Sequence, residues 1–344
     1  MERARTKTIH DFILNNVEMH QTDISSRTSE KFGISRQAAN RHLQHLIQAG
    51  MLEASGNRRS RKHTLKMSQG ESFSFELKPG LEEDKVWAGQ IRSIVAPFAG
   101  PNAYNILNYG FSEIFNNAID HSEGSVVKVA VCIFSKKVSI TIRDNGVGIF
   151  DKIQRYFKLD DPRHALLELA KGKLTSDPER HTGEGIFFTC RMFDWFSIRS
   201  RLLVFIRHGD DDWLIEDRAK ETEGTSVIME IDRNTERTPK EVFEKYASEA
   251  SEYGFTRTHV PVNLALYEGE MLVSRSQAKR LLARVDRFKE VMLDFKEVKD
   301  IGPAFSDEVF RVFAKAHPTV KLSWVNANAA VEKMIHRALA NNAG

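Results

Sequence analysis

Cysteine is nearly absent: Cys132 and Cys190 are the only two in 344 residues, each inside its own apolar stretch. With no paired thiol spacing, neither a cysteine metal site nor a redox motif can be written. The reducing cytoplasm is the expected home. No apolar run approaches the ~20 residues that cross a bilayer, so no membrane partner is expected. The first residues, Met1-Glu-Arg-Ala-Arg-Thr-Lys7, have charge but no apolar segment behind it, so a secretion signal is not expected. What is present, 41% hydrophobic and 28% charged residues, suits a globular chain long enough for two or three domains.

The net charge of +3 conceals an asymmetry. Residues 1–67 hold twelve Lys and Arg against six Asp and Glu, leaving the remainder slightly acidic at −3. A basic front end implies a polyanionic partner for that end alone. Its pattern is three short helices and a hairpin. Ile9, Phe12, Ile13 and Val17 fall at helical spacing, and a second helix from Asp23 ends at Gly33. Ser35 then caps a helix whose Ala39, Leu43, Leu46 and Ile47 face inward, up to Gly50. The helix–Gly–Ile–Ser–helix step predicts a helix-turn-helix, with the wing formed from 51–66. On the outer side of the second of those helices stand Arg36, Gln37, Asn40, Arg41 and Gln44, where base edges are read in a major groove. Arg58, Arg59, Arg61 and Lys62 sit at the wing tip, suited to phosphates. The segment resembles bacterial MarR/ArsR-type winged-helix regulators, which implies double-stranded DNA as partner. Such readers are often two-fold, so a homodimer is compatible with it.

Beyond Phe73 the periodicity changes. A strand and a helix through Trp87, Ile91 and Val95 precede a longer helix with one apolar face, from Ile106 to Ile119. Its opposite stripe carries Glu113, Asn117 and Asp120 at steps of four and three. Two strands, 128–134 and 138–143, end in Asp144-Asn-Gly146-Val-Gly148, where an acid at a strand end precedes two flexible glycines. A polar stretch, 150–182, reads as a flap over a site, with little regular pattern outside 165–170. It leads to Thr182-Gly183-Glu-Gly185 before an apolar helix, an arrangement that favours anions. Strands at 195–201, 203–207, 213–215 and 224–231 complete a sheet, the last beginning Gly224-Thr225.

In order and spacing these segments resemble the Bergerat-type ATP-binding domain of the GHKL superfamily, which includes gyrase, histidine kinases and the anti-sigma serine kinases. The resemblance implies ATP with magnesium (Mg2+) as ligands. Asn117 would supply a metal oxygen, and Glu113 would be the catalytic acid that positions a nucleophile. Asp144 would read the adenine amino group. Asp120, Gly146, Gly148, Thr182, Gly183, Gly185 and Thr225 would complete the nucleotide site. Glu184 is an acidic departure between the glycines, with Arg180 and His181 close enough in sequence to offset it. No histidine occurs between Met67 and Asn102, so the phosphoacceptor of a sensor histidine kinase is missing. The compact anti-sigma serine-kinase branch is the better likeness.

After the polar break 233–240, a helix over 241–253 precedes strands at 258–266, 290–295 and 319–325. These alternate with helices at 276–288, 306–316 and 328–340, a rhythm that predicts a mainly parallel sheet. Val291-Met-Leu-Asp-Phe295, before a turn and helix, is similar to the STAS fold of anti-anti-sigma factors. Phosphorylated STAS domains open that helix with serine. Here Gly302 and Pro303 stand there and Ser306 follows, so an ordinary helix start is the stronger expectation and phosphorylation of Ser306 the lesser. The expected architecture is multidomain, α+β and α/β: a winged helix (1–67), a Bergerat α/β sandwich (72–234), a linker helix (235–257) and a STAS-like βα domain (258–344). The expected function is nucleotide-gated transcription regulation. The alternative is a serine/threonine kinase, slow ATPase or partner-switching factor acting on a STAS-like domain, with a regulatory protein as that domain's partner.

Overall fold

The computed structural model describes residues 2–57, 60–174, 183–209, 211–217, 221–247, 255–266 and 271–340. Helices α1 (Glu2–Asn16), α2 (Ile24–Phe32) and α3 (Arg36–Gln48) enclose a small core of Ile9, Ile13, Val17, Ile24, Leu43 and Leu46. Gly33 ends α2 in the left-handed conformation, and the Ser35 hydroxyl accepts the Ala38 amide at 3.1 Å to start α3. Asp23 makes no side-chain cap on α2; its carboxylate pairs with Arg27 at 2.9 Å instead. Strands β1 (Leu52–Ser55) and β2 (Lys62–Leu65) pair antiparallel as a ribbon.

A single residue, Lys66, separates β2 from β3 (Met67–Glu76), the edge strand of a seven-stranded antiparallel sheet. The sheet continues through β4 (Val126–Phe134), β5 (Lys137–Asp144), β6 (Trp195–Arg201), β7 (Leu203–His208), β8 (Asp211–Glu216) and β9 (Thr222–Asp232). Its spatial order is β3-β4-β5-β9-β6-β7-β8. Alternation decides which face is covered. Val127, Val129, Val131 and Ile133 of β4 are buried, whereas Lys128 and Arg143 stand exposed on the other face. Helices α4 (83–95, with a π turn at Trp87–Ile91), α5 (Pro101–His121) and α8 (Gly185–Met192) join that buried layer, α5 packing on α8.

The stretch expected to have little regular pattern outside 165–170 contains two helices, the unexpected α6 (Ile149–Phe157) and α7 (His164–Lys171), which covers that patterned segment. The apolar spacing of Ile149, Ile153 and Phe157 is broken up by Asp, Lys and Arg, which hides the helix from a hydrophobic reading. Helix α9 (Pro239–Tyr246), capped reciprocally by Thr238 and Glu241, is shorter than the sequence predicts: Ala247 is extended and bridges to Phe255. A parallel three-stranded sheet follows, β10 (Arg257–Pro261), β11 (Glu290–Asp294) and β12 (Lys321–Val325), in that order. The predicted strand over 258–266 ends at Pro261 and becomes a 3-10 turn, Val262–Ala265. The helices here are α10 (Arg275–Leu282), α11 (303–316) and α12 (Ala329–Ala340). One continuous core joins the large sheet to this unit through Phe187, Phe188, Tyr246, Phe255 and Phe288.

The N-terminal unit meets the body at the β4–β5 turn. Phe134 packs against its core, the Ser135 hydroxyl donates to the Met51 carbonyl at 3.0 Å, and Lys136 lies 3.5 Å from Asp11.

Candidate functional site

At the opposite end of β5 from that turn, a cavity of about 340 Å³ opens between α5, α6, the start of α8 and the sheet. Its walls bring together Glu113, Asn117, Asp144, Gly148, Gly183, Gly185 and Thr225, residues gathered from four stretches of sequence. Ile142, Ile149, Ile153, Phe157, Leu169, Leu174, Ile198 and Val227 make the lining apolar. A concave, mostly apolar space with a few converging polar groups is the form of a small-molecule site.

Asp144 is buried to 7% exposure at the end of β5. One carboxylate oxygen accepts the Gly146 amide at 2.9 Å and the Thr225 amide at 3.1 Å. Among the described residues the other oxygen has no partner, so it is left to accept from a ligand. Burial pushes the carboxyl above its ordinary range, and the two amides pull it partly back. The arrangement depends on Gly224, which has φ +66°: a Cβ there would lie 2.2 Å from the Asp144 carbonyl oxygen. Only the missing side chain lets β9 approach closely enough to deliver the Thr225 amide. The Thr225 hydroxyl in turn accepts the Ile149 amide at 3.0 Å and fixes the start of α6.

On α5, Asn117 faces the cavity, and its side chain makes no hydrogen bond among the described residues. One turn earlier, Glu113 is hydrogen-bonded to Tyr109, which sequence reading missed although it sits four positions before. Burial first, then Glu113 and Glu184, push the Tyr109 phenol far up, so it remains a donor at any working pH. Glu113 also lies against the first residue of α8: a Cβ on Gly185 would come within 1.9 Å of its carboxylate. Gly185 therefore permits the contact of α5 with α8. Lys152 is a second residue the sequence did not mark. It lines the cavity, with its ammonium donating to the His121 carbonyl at 2.8 Å and paired with Glu123 at 3.0 Å.

Two expected residues are not on the wall. Asp120 shares the polar stripe of α5 but is exposed, because the wall follows the four-residue step from Glu113 through Asn117 to His121 and leaves Asp120 to one side. Gly146 packs its backbone against Ser122, where a Cβ would lie 2.0 Å from the carbonyl oxygen, and serves the turn rather than the lining. Thr182, Arg180 and His181 lie outside the described residues.

The fit of a magnesium ion follows from the donor set. No cluster of three or more His, Cys, Asp or Glu that could hold a metal exists among the described residues. Asn117 offers a single neutral oxygen, which matches an ion that keeps waters and takes its remaining ligands from phosphates.

Arg36, Gln37, Asn40, Arg41 and Gln44 are all exposed along α3, Asn40 accepting from Ser25 at 2.9 Å. Arg61 and Lys62 are exposed at the β1–β2 ribbon, while Arg58 and Arg59 lie outside the described residues. In the C-terminal unit Ser306 is 2% exposed, and its hydroxyl donates to the Pro303 carbonyl at 3.2 Å, consistent with an ordinary helix start. Nearby strand ends bring His259 to 3.0 Å from Asp294, which also accepts from Asn326 at 2.9 Å. Burial alone would raise the Asp294 carboxyl, but His259, Asn326 and the Lys296 amide hold it down to about 2.

Residues 277–332 match the model of a family described as a STAS-like domain of unknown function (DUF4325). The C-terminal unit is therefore STAS-like. A search of curated proteins finds no match to the chain. No helix among the described residues is long and apolar enough to cross a membrane.

Proposed function

We propose that this chain is a transcription regulator of the GHKL type. In this reading it binds ATP with magnesium in the α5 cavity and reads double-stranded DNA with α3 and the β1–β2 wing, the nucleotide setting its hold on DNA. The observation that carries the nucleotide reading is the meeting of Glu113, Asn117, Asp144, Gly185 and Thr225 around one cavity. A purine edge would donate to the unpartnered Asp144 oxygen. The triphosphate would run toward Asn117 and the amino end of α8, whose dipole favours an anion. Bound there, magnesium would neutralise phosphate charge, with Asn117 as its protein ligand. The DNA reading is supported by five exposed polar side chains on α3 and by the local excess of positive charge.

One observation favours an enzymatic second reading, a slow ATPase. Glu113 lines the cavity and is held by the Tyr109 phenol, the placement needed to orient a water. The buried hydroxyl of Ser306 gives no support to that residue as a phosphoacceptor.

Calorimetric titration of the full chain with a non-hydrolysable ATP analogue and Mg²⁺ tests the first claim. Retention of labelled random-sequence duplex with and without the analogue tests the second. No binding at millimolar analogue would sink the nucleotide reading. DNA retention that is identical in every nucleotide state would remove the gating.

A further inference from the structure

We infer that the STAS-like domain is the resident partner of the helical segment over the cavity, clamping α7 so that nucleotide occupancy and the docking of this domain are coupled. The inference rests on the nucleotide reading of the cavity and names the domain that senses it.

The interface is built from charges that neither side could bury alone. Glu168 and Lys171, on α7, are 3% and 1% exposed and pair at 2.7 Å. The second Glu168 oxygen lies 2.9 Å from the guanidinium of Arg284, in the turn after α10. The Lys171 ammonium also donates to the carbonyls of Arg280 and Ala283, at 3.2 and 2.9 Å. From β10, the Thr258 hydroxyl donates to the Lys171 carbonyl at 2.6 Å. Arg284 donates to the Lys173 carbonyl, and Lys173 donates to that of Arg287. These bonds satisfy all three Lys171 donors, while Glu168 and Arg284 are held at ion-pair distance without a hydrogen bond between them, and slippage would leave the charges unpaired away from water.

The clamped segment is also the cavity wall. Phe157, Leu169 and Leu174 line the cavity, and the Arg284 guanidinium lies 4.4 Å over the Phe157 ring. One layer of side chains thus separates the STAS-like domain from the ligand space. The α3 head, by contrast, joins the body at the β4–β5 turn, the far end of β5 from Asp144. A ligand that fixes the wall must favour the docked clamp, and by linkage the clamp must favour the ligand to the same degree.

The test uses the full chain. Hydrogen exchange is followed over 164–174 and 277–288 with and without a non-hydrolysable ATP analogue plus Mg²⁺, and analogue affinity is measured for wild type, Arg284→Met and Glu168→Gln/Arg284→Met. The analogue is expected to slow exchange in both segments of the wild type. Arg284→Met is expected to bind it roughly tenfold more weakly and to exchange faster at 277–288 even without ligand. The wild-type comparison needs no variant to fold. Analogue binding with exchange at 277–288 unaltered overturns the clamp and leaves the nucleotide reading standing, as does undiminished affinity in folded Arg284→Met. A wild type that does not bind the analogue overturns both.

Discussion

Replacing Asp144 by Asn changes one atom of the cavity and gives the most direct test of what it holds. One Asp144 oxygen accepts the Gly146 and Thr225 amides, a role an Asn carbonyl oxygen can keep. The other position then becomes an NH2, a donor that would face the amino group of adenine in the proposed complex. A hydrogen bond to a charged acceptor contributes about 1.5–3 kcal/mol, and at about 1.4 kcal/mol per tenfold this corresponds to roughly 10- to 150-fold weaker ATP binding. Folding should be little affected, because the carboxylate being removed is one that burial already disfavours in its charged form. Calorimetry with a non-hydrolysable analogue at neutral pH, beside thermal unfolding, measures both quantities. The same exchange presents a donor to the guanine O6, so the ratio of adenine to guanine binding should fall. Affinity within twofold of wild type, in a protein that itself prefers adenine, would refute the assignment of Asp144 as the base reader.

Three further outcomes are expected. Since Asp144 takes up its proton above the ordinary carboxylate range, nucleotide affinity in calorimetry should decline as pH falls through that raised value, before ordinary carboxylates protonate. The sign for stability is the reverse: the contribution of this group is fully present below the unfolded value and lost as pH rises through the folded one, so Asp144→Asn should flatten that part of a stability–pH profile. Arg41→Ala should weaken binding to random duplex and, if Arg41 reaches a phosphate, reduce the slope of log affinity against log salt by about one. An unchanged slope with sequence-dependent loss would assign Arg41 to a base instead. Asp294, held down to about 2, should contribute stability above pH ~4 that disappears toward pH 2, and His259→Ala should raise the acid midpoint in a circular-dichroism titration.

The sequence made the cavity legible wherever chemistry and element type coincided. Asn117 and Glu113 lie on a helix whose apolar face is unmistakable, and Asp144 ends a strand of clear alternation. Each therefore points where periodicity says it should. The same reasoning placed Asp120 on the stripe, but the wall follows the four-residue step from Asn117 to His121 and passes Asp120 by. Tyr109 and Lys152 escaped because their roles depend on packing: one is an aromatic on a buried helix, the other a cation among many. Helix α6 was hidden for a related reason, and the regular pattern at 165–170 marked α7 without revealing that its charges are buried. Glu168 and Lys171 read as solvent-facing charges in one dimension and become interior only when another domain, more than a hundred residues later, supplies Arg284 and a row of carbonyls. Of the basic residues proposed to meet DNA, those on α3 are exposed as expected.

The passage from β2 into β3 through Lys66 alone has a mechanical result. With so little slack between ribbon and edge strand, and a strut from Ser135 to Met51, a twist of the large sheet would turn the N-terminal unit and the exposed face of α3 with it. A flexible spacer inserted at position 66 would unhook that lever while leaving each part intact.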